Sequence, residues 1–88
     1  MVLSDLEGFI WFDGKIVEWK EAKVHVLTHT LHYGLGVFEG VRAYSTPTGT
    51  SIFRLDDHID RLFQSAETVG LSILFSAEQL KDAHGEII

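Results

Sequence analysis

The stretch THTLHYGLGVFEGVRAY, residues 28–44, decides the fold, together with FRLDDHIDRL, residues 53–62, which follows after a short loop. The first stretch combines aromatic and β-branched residues with glycines, which is typical of a strand that another group approaches closely. The second stretch has the apolar period of a helix and carries an arginine. A forked guanidinium beside such a strand predicts one wall of a pocket for an anionic ligand.

Two β-hairpins are predicted, one on each side of the glycine-rich stretch. The first joins residues 9–12 to residues 15–19 through an Asp-Gly pair, whose tolerance of positive φ suits a tight turn. The second joins a strand over residues 37–45 to a returning strand over residues 51–54. Its loop, Thr-Pro-Thr-Gly, is rich in turn-forming residues.

Three helical segments are predicted around the hairpins. A single turn over residues 28–33 ends at Gly34, and a longer helix begins at Asp56 or Asp57 and ends at Gly70. A last helix begins after Ser76, which can cap it.

These elements predict an α+β fold in which the two hairpins form a small antiparallel sheet covered by two helices. Residues 1–88 are expected to form a single domain, because no linker or repeat divides them. The last helix runs into the apolar residues Ile87 and Ile88 without a stop signal, which predicts a truncated domain.

Composition excludes several function classes. The 88 residues are 45% apolar and 23% charged, close to the average of folded globular chains. The net charge is −6 with no cluster of Lys or Arg, so no nucleic-acid partner is expected. Without cysteines, disulfides and thiolate zinc sites are excluded. No long apolar run or signal-peptide pattern occurs, so we expect a cytoplasmic protein with no membrane partner.

Alternation along residues 37–45 places Phe38, Gly40, Arg42 and Tyr44 on one face of the predicted strand. A glycine between an aromatic residue and an arginine suits the close approach of a ligand. A β-bulge at Gly40 would explain the glycine without any ligand, and the strand alone favours that explanation.

Arg61 has two interpretations when its helix is considered alone. It shares a helical face with His58, from which its guanidinium can reach an anion at the sheet. It also lies four residues after Asp57, and a surface salt bridge between these two is the simpler prediction. Tyr33, just before Gly34, is either a core aromatic or a phenol that projects into a site.

Three histidines, His25, His29 and His32, have a spacing that would align metal ligands on a continuous helix. The nearby glycines and β-branched residues oppose such a helix. We therefore predict hydrogen bonding within a turn and no metal site. The glycines do not match the dinucleotide-binding fingerprint either, because they precede a strand.

Three segments together resemble the smaller N-terminal domain of the fold-type IV pyridoxal-phosphate enzymes: IWFDGKIVEW, AKVHVLTHTLHYGLGVFEGVRAY and IFRLDDHIDRLFQSA. The HTLHYG lead-in and the VFEGVRAY strand are most similar to those of the branched-chain amino acid aminotransferases. The resemblance covers the chain from residue 9 to about residue 88. It implies transfer of an amino group between leucine, isoleucine or valine and 2-oxoglutarate with pyridoxal 5'-phosphate (PLP) as cofactor.

The resemblance also implies roles for matching residues. Arg61 would bind the cofactor phosphate, which reverses the preference for its salt bridge. Phe38 would line the pocket of the substrate side chain, with Gly40 leaving room beside it. Tyr33 would reach the active site of a neighbouring subunit in a homodimer or higher homo-oligomer, and Arg42 is a candidate near the substrate carboxylate.

No catalytic residue is expected in this chain. The family attaches PLP to a lysine of its larger C-terminal domain, and the four lysines present, Lys15, Lys20, Lys23 and Lys81, do not match that position. Without this Schiff-base lysine the chain alone should not transaminate. Two alternatives stay open: a non-catalytic truncated or split module that binds a partner chain, and a related fold-type IV transaminase that acts on other amino acids or amines.

Overall fold

The computed structural model describes residues 6–88, which fold into two β-hairpins and three α-helices. The elements, in chain order, are β1 (Phe9–Phe12), β2 (Lys15–Glu18), a short 3-10 helix (Trp19–Glu21), α1 (His29–Tyr33), β3 (Ala43–Thr46), β4 (Gly49–Ile52), α2 (Leu55–Thr68) and α3 (Ala77–Ile87). The α+β class is confirmed. Each hairpin makes its own two-stranded antiparallel sheet.

The first hairpin forms where the sequence predicts it. Asp13 and Gly14 both have positive φ, 50° and 90°, which matches the twist of a two-residue turn to that of the flanking strands. Trp11 then meets the Phe75 ring edge-on, with ring centroids 5.0 Å apart. This contact packs the hairpin against the residues that lead into α3.

The second hairpin is shorter than predicted and shifted along the chain. Its strands are β3 and β4, so the predicted strand over residues 37–45 begins only at Ala43, and the returning strand ends at Ile52. Thr46 pairs with Gly49 across a two-residue turn, which sets the register. Arg54 has a φ of 52°, and this left-handed conformation ends the extended backbone just before α2.

The two long helices follow their sequence signals. Gly70 has a φ of 75° just after α2, a conformation that favours glycine. Ser76 accepts a hydrogen bond from the Gln79 amide while the Gln79 side chain accepts one from the Ser76 amide. This capping box starts α3 as predicted. Lys81 on α3 pairs with Asp56 on α2 at 3.0 Å.

The fully buried core of residues 6–88 is small and lies where α2 meets α3. It consists of Ile59 and Ala66 on α2 and Ala83 on α3. Many large apolar side chains are instead exposed. Within the described part of the chain, no helix has the length and apolar character needed to cross a membrane.

Because Ile59 is only 2% exposed, the substitution Ile59→Ala should leave a cavity in this core. We expect the free energy of unfolding to fall by about 2 to 4 kcal/mol, measured by denaturant titration. Ile87→Ala is the matched control, since Ile87 on α3 is 47% exposed, and it should lower the free energy of unfolding much less. Equal losses for the two variants would contradict this description of the core.

Candidate functional site

An extended segment, residues 35–42, links α1 to β3 and pairs with no strand within residues 6–88. Its side chains alternate in exposure, as the two predicted faces require. One face is half-buried and consists of Val37, Glu39 and Val41, and the other face is exposed and consists of Phe38, Gly40 and Arg42. The backbone is therefore strand-like without a ladder partner, and its exposed face carries three of the predicted site residues.

A cluster of three charged or titratable side chains, Glu39, His58 and Arg61, joins this segment to α2; we call it the Glu39 cluster. Arg61 Nε donates to Glu39 Oε2 at 2.7 Å and Arg61 Nη2 donates to Oε1 at 2.6 Å. His58 Nδ1 lies 2.8 Å from the same Oε1. Because an ionised carboxylate only accepts hydrogen bonds, His58 Nδ1 carries the hydrogen that it donates.

The cluster holds Glu39 in its ionised form. Hydrogen bonds from Arg61, and secondly from His58, lower the pKa of the Glu39 carboxyl from 4.5 to about 2. The same hydrogen bond raises the pKa of the Arg61 guanidinium. The Glu39 side chain is 11% exposed, so this charge pair is well shielded on the carboxylate side.

The arginine keeps part of its guanidinium available. Its side chain is 63% exposed, and Nη1 has no partner within residues 6–88. Asp57 pairs with Arg54 instead, at 2.7 Å, so the predicted salt bridge from Asp57 to Arg61 is wrong. The reason is that Glu39, which is remote in sequence, accepts two hydrogen bonds from Arg61, whereas Asp57 on the same helix makes none with it.

The other predicted site residues lie at the surface. Phe38 is 88% exposed. A Cβ placed on Gly40 would meet nothing within 4 Å among the described residues, so crowding does not explain that glycine. The Arg42 side chain has no partner within residues 6–88, while its carbonyl accepts a hydrogen bond from the Phe53 amide at 2.8 Å.

Tyr33 lies apart from that face, at the end of α1. It is 76% exposed, and its ring is next to the rings of His29 and His32, with centroids 5.5 and 6.2 Å away. Gly34, with a φ of 62°, ends this short helix as predicted. Tyr33 therefore projects from the surface and is not a core aromatic.

The three histidines are not brought together as ligands. His25 Nδ1 accepts a hydrogen bond from the Leu27 amide at 3.0 Å, the kind of local turn contact that the sequence predicted. Within residues 6–88, no three His, Cys, Asp or Glu side chains are grouped closely enough to hold a metal ion.

Sequence reasoning missed the part played by Glu39 and His58. A usable signal exists: Glu39 alternates with Val37 and Val41 on one face, and an acidic residue on an otherwise apolar face requires a cationic partner. Arg61 and His58, three residues apart on one helical face, supply matching donors.

A titration can test the Glu39 cluster. Carboxyl-carbon NMR should show Glu39 titrating near pH 2, because its ionised form is stabilised and persists at neutral pH. Arg61→Gln should move this midpoint upward, whereas Arg54→Gln should leave it unchanged because Arg54 pairs with Asp57. A wild-type midpoint near 4.5 would show that the cluster does not form.

Sequence comparison finds close relatives that share one name. The chain is 57% identical over 83 residues to the branched-chain-amino-acid aminotransferase of Pseudomonas aeruginosa, covering 94% of this chain and 27% of the relative. It is 42% identical over 80 residues to the enzyme of the same name from Escherichia coli K12, covering 91% of this chain and 26% of the relative. The chain thus spans about a quarter of the length of these relatives.

Solved structures of branched-chain aminotransferases are also similar to this chain. The branched-chain aminotransferase of the archaeon Thermoproteus uzoniensis, with norvaline, superimposes with a TM-score of 0.88 at 46% identity, covering 92% of this chain and 27% of that one. The branched-chain amino acid aminotransferase of Escherichia coli gives a TM-score of 0.84 at 42% identity, with 89% and 26% covered.

The family model described as amino-transferase class IV matches residues 36–88. The matched region contains the exposed face of the extended segment, the Glu39 cluster, and helices α2 and α3. The chain belongs to the class IV aminotransferase family.

Proposed function

We propose that this chain is the N-terminal part of a branched-chain amino acid aminotransferase that uses PLP. The observation that carries the proposal is the Glu39 cluster, which holds Arg61 beside a segment whose exposed face offers Phe38 and Gly40. The identity of 57% to an enzyme of that name supports the substrate class over other transaminases.

The residues present fit the phosphate of the cofactor. Arg61 has Nη1 free of partners within residues 6–88 and is oriented by two bonds to Glu39, so a phosphate oxygen can accept from Nη1 while Nε and Nη2 stay engaged. Glu39 occupies the edge of the guanidinium formed by Nε and Nη2, so the Nη1 donors remain open to a phosphate. When bound, PLP would supply the carbonyl chemistry that carries an amino group from an amino acid to a 2-oxo acid.

The exposed face of the extended segment suits an apolar substrate side chain. The Phe38 ring would contact that side chain, and the open space at Gly40 would admit it. Arg42, without a partner within the described residues, would lie near the substrate carboxylate as a charge-assisted donor. A relative with norvaline bound is consistent with an apolar substrate.

The remaining roles require more protein than this chain. Tyr33, projecting from the surface, would enter the site of a second subunit, which implies a homodimer or higher homo-oligomer. The lysine that holds the cofactor would come from the three-quarters of the relatives' length that this chain does not span. The chain alone should be inactive.

Transamination by the complete polypeptide tests the proposal. With PLP present, we expect the complete polypeptide to convert leucine, isoleucine and valine into their 2-oxo acids in a reaction that depends on 2-oxoglutarate. Chromatography of the products measures this conversion. Residues 1–88 alone, supplied with the same cofactor, are the negative control. Efficient turnover of alanine or an aromatic amine, with none of leucine, would reject the branched-chain assignment in favour of another transaminase.

Arg61→Ala in the complete polypeptide should weaken PLP binding by about tenfold or more, because the variant loses a charge-assisted hydrogen bond to the phosphate. Fluorescence titration of the cofactor-free protein with PLP measures this loss. Arg54→Ala is the matched control, since Arg54 pairs with Asp57 at the surface beside the same helix. Unchanged affinity in Arg61→Ala would refute the phosphate role.

A further inference from the structure

We propose that Glu39 is a positioning residue for substrate selectivity: through Arg61 and His58 it fixes the extended segment on α2 and so sets where Phe38 and Gly40 stand. This inference rests on the proposed function. Glu39 lies on the half-buried face of the segment, opposite the proposed substrate side. It therefore acts on the substrate only through the residues next to it in the chain.

The extended segment has few polar ties to the rest of the fold. At its beginning, Thr30 Oγ1 donates to the Leu35 carbonyl at 2.7 Å. At its end, the Phe53 amide donates to the Arg42 carbonyl at 2.8 Å. Between these two points, within residues 6–88, the hydrogen bonds of the Glu39 side chain are the ones that hold the segment to another element.

The residues on either side of Glu39 are the ones that face the substrate. Phe38 is almost fully exposed, so its own contacts within the described residues do not fix it. Successive side chains of an extended backbone point to opposite faces. Anchoring Glu39 on the inner face therefore directs Phe38 outward and fixes the position of its side chain along the segment. Charge-assisted, bidentate hydrogen bonds add geometric specificity, which the non-directional burial of the valines beside Glu39 does not.

Glu39 also connects two proposed binding functions. The same carboxylate that holds the segment orients the Arg61 fork. The Glu39 side chain thus fixes the position of Phe38 and Gly40, which would face the substrate, relative to Arg61, which would bind the phosphate. Small displacements of groups that position a substrate are costly in enzymes, which is why loosening this anchor should be visible in selectivity.

Glu39→Gln in the complete, cofactor-loaded protein tests the inference. The amide keeps the shape of the side chain but loses the charge and one of the two acceptor oxygens. We expect the ratio of kcat/KM for leucine to kcat/KM for alanine to fall by about three- to tenfold, since the fit of a pocket to single methylene groups is worth roughly tenfold or more. A purely structural role would lower both values by a common factor and leave the ratio unchanged.

Binding without turnover gives an independent readout. 4-Methylvaleric acid has the carbon skeleton of leucine without its amino group, and propionic acid has that of alanine. In Glu39→Gln the preference for 4-methylvaleric acid over propionic acid, measured by calorimetry, should fall in parallel with the kinetic ratio. An unchanged preference would overturn the positioning role.

Asp57→Asn is the matched control, because it also neutralises a carboxylate paired with an arginine of the same region but at an exposed position. Its leucine-to-alanine ratio should equal that of the wild type, and an equal fall in both variants would overturn the inference.

Glu39→Asp serves if the amide variant does not fold; its shorter side chain should lower the ratio in the same direction. A wild type without leucine activity would overturn the proposed function as well, whereas an active wild type and an unaltered ratio in Glu39→Gln would overturn the positioning role alone.

Discussion

The charged hydrogen bonds on Glu39 are the interaction on which the candidate site depends. They bring together two elements far apart in sequence, an extended segment without a strand partner among the described residues and the helix α2. Without them, the segment would be held within residues 6–88 only by polar contacts at its two ends and by apolar contacts of its half-buried valines. The carboxylate faces inward, and this is what turns Phe38, Gly40 and Arg42 outward.

Local sequence signals predicted much of the fold because the chemistry that fixes those elements is local. The Asp13-Gly14 turn, the αL glycine at Gly34 and the Ser76 cap each satisfy backbone requirements within a few residues. The strand over residues 37–45 was predicted too long, since strand propensity describes how a segment fits a sheet and not whether a partner strand is present.

The site was harder to predict from its parts. Only the family resemblance suggested a phosphate-binding role for Arg61, because a lone helical arginine is equally compatible with an ordinary salt bridge. The partner that the structure gives it, Glu39, is remote in sequence, and such pairings depend on tertiary packing. The exposed face beside it carries Phe38, which is 88% exposed, and an exposed aromatic side chain of this kind suits the wall of a binding site.

A crystal structure of the complete polypeptide with PLP bound would test the central claim most directly. We expect Arg61 Nη1 to lie within hydrogen-bonding distance of a phosphate oxygen while Nε and Nη2 remain on Glu39, with Phe38 facing the substrate position. A phosphate bound away from Arg61, or an arginine that has left Glu39 to reach it, would contradict this claim.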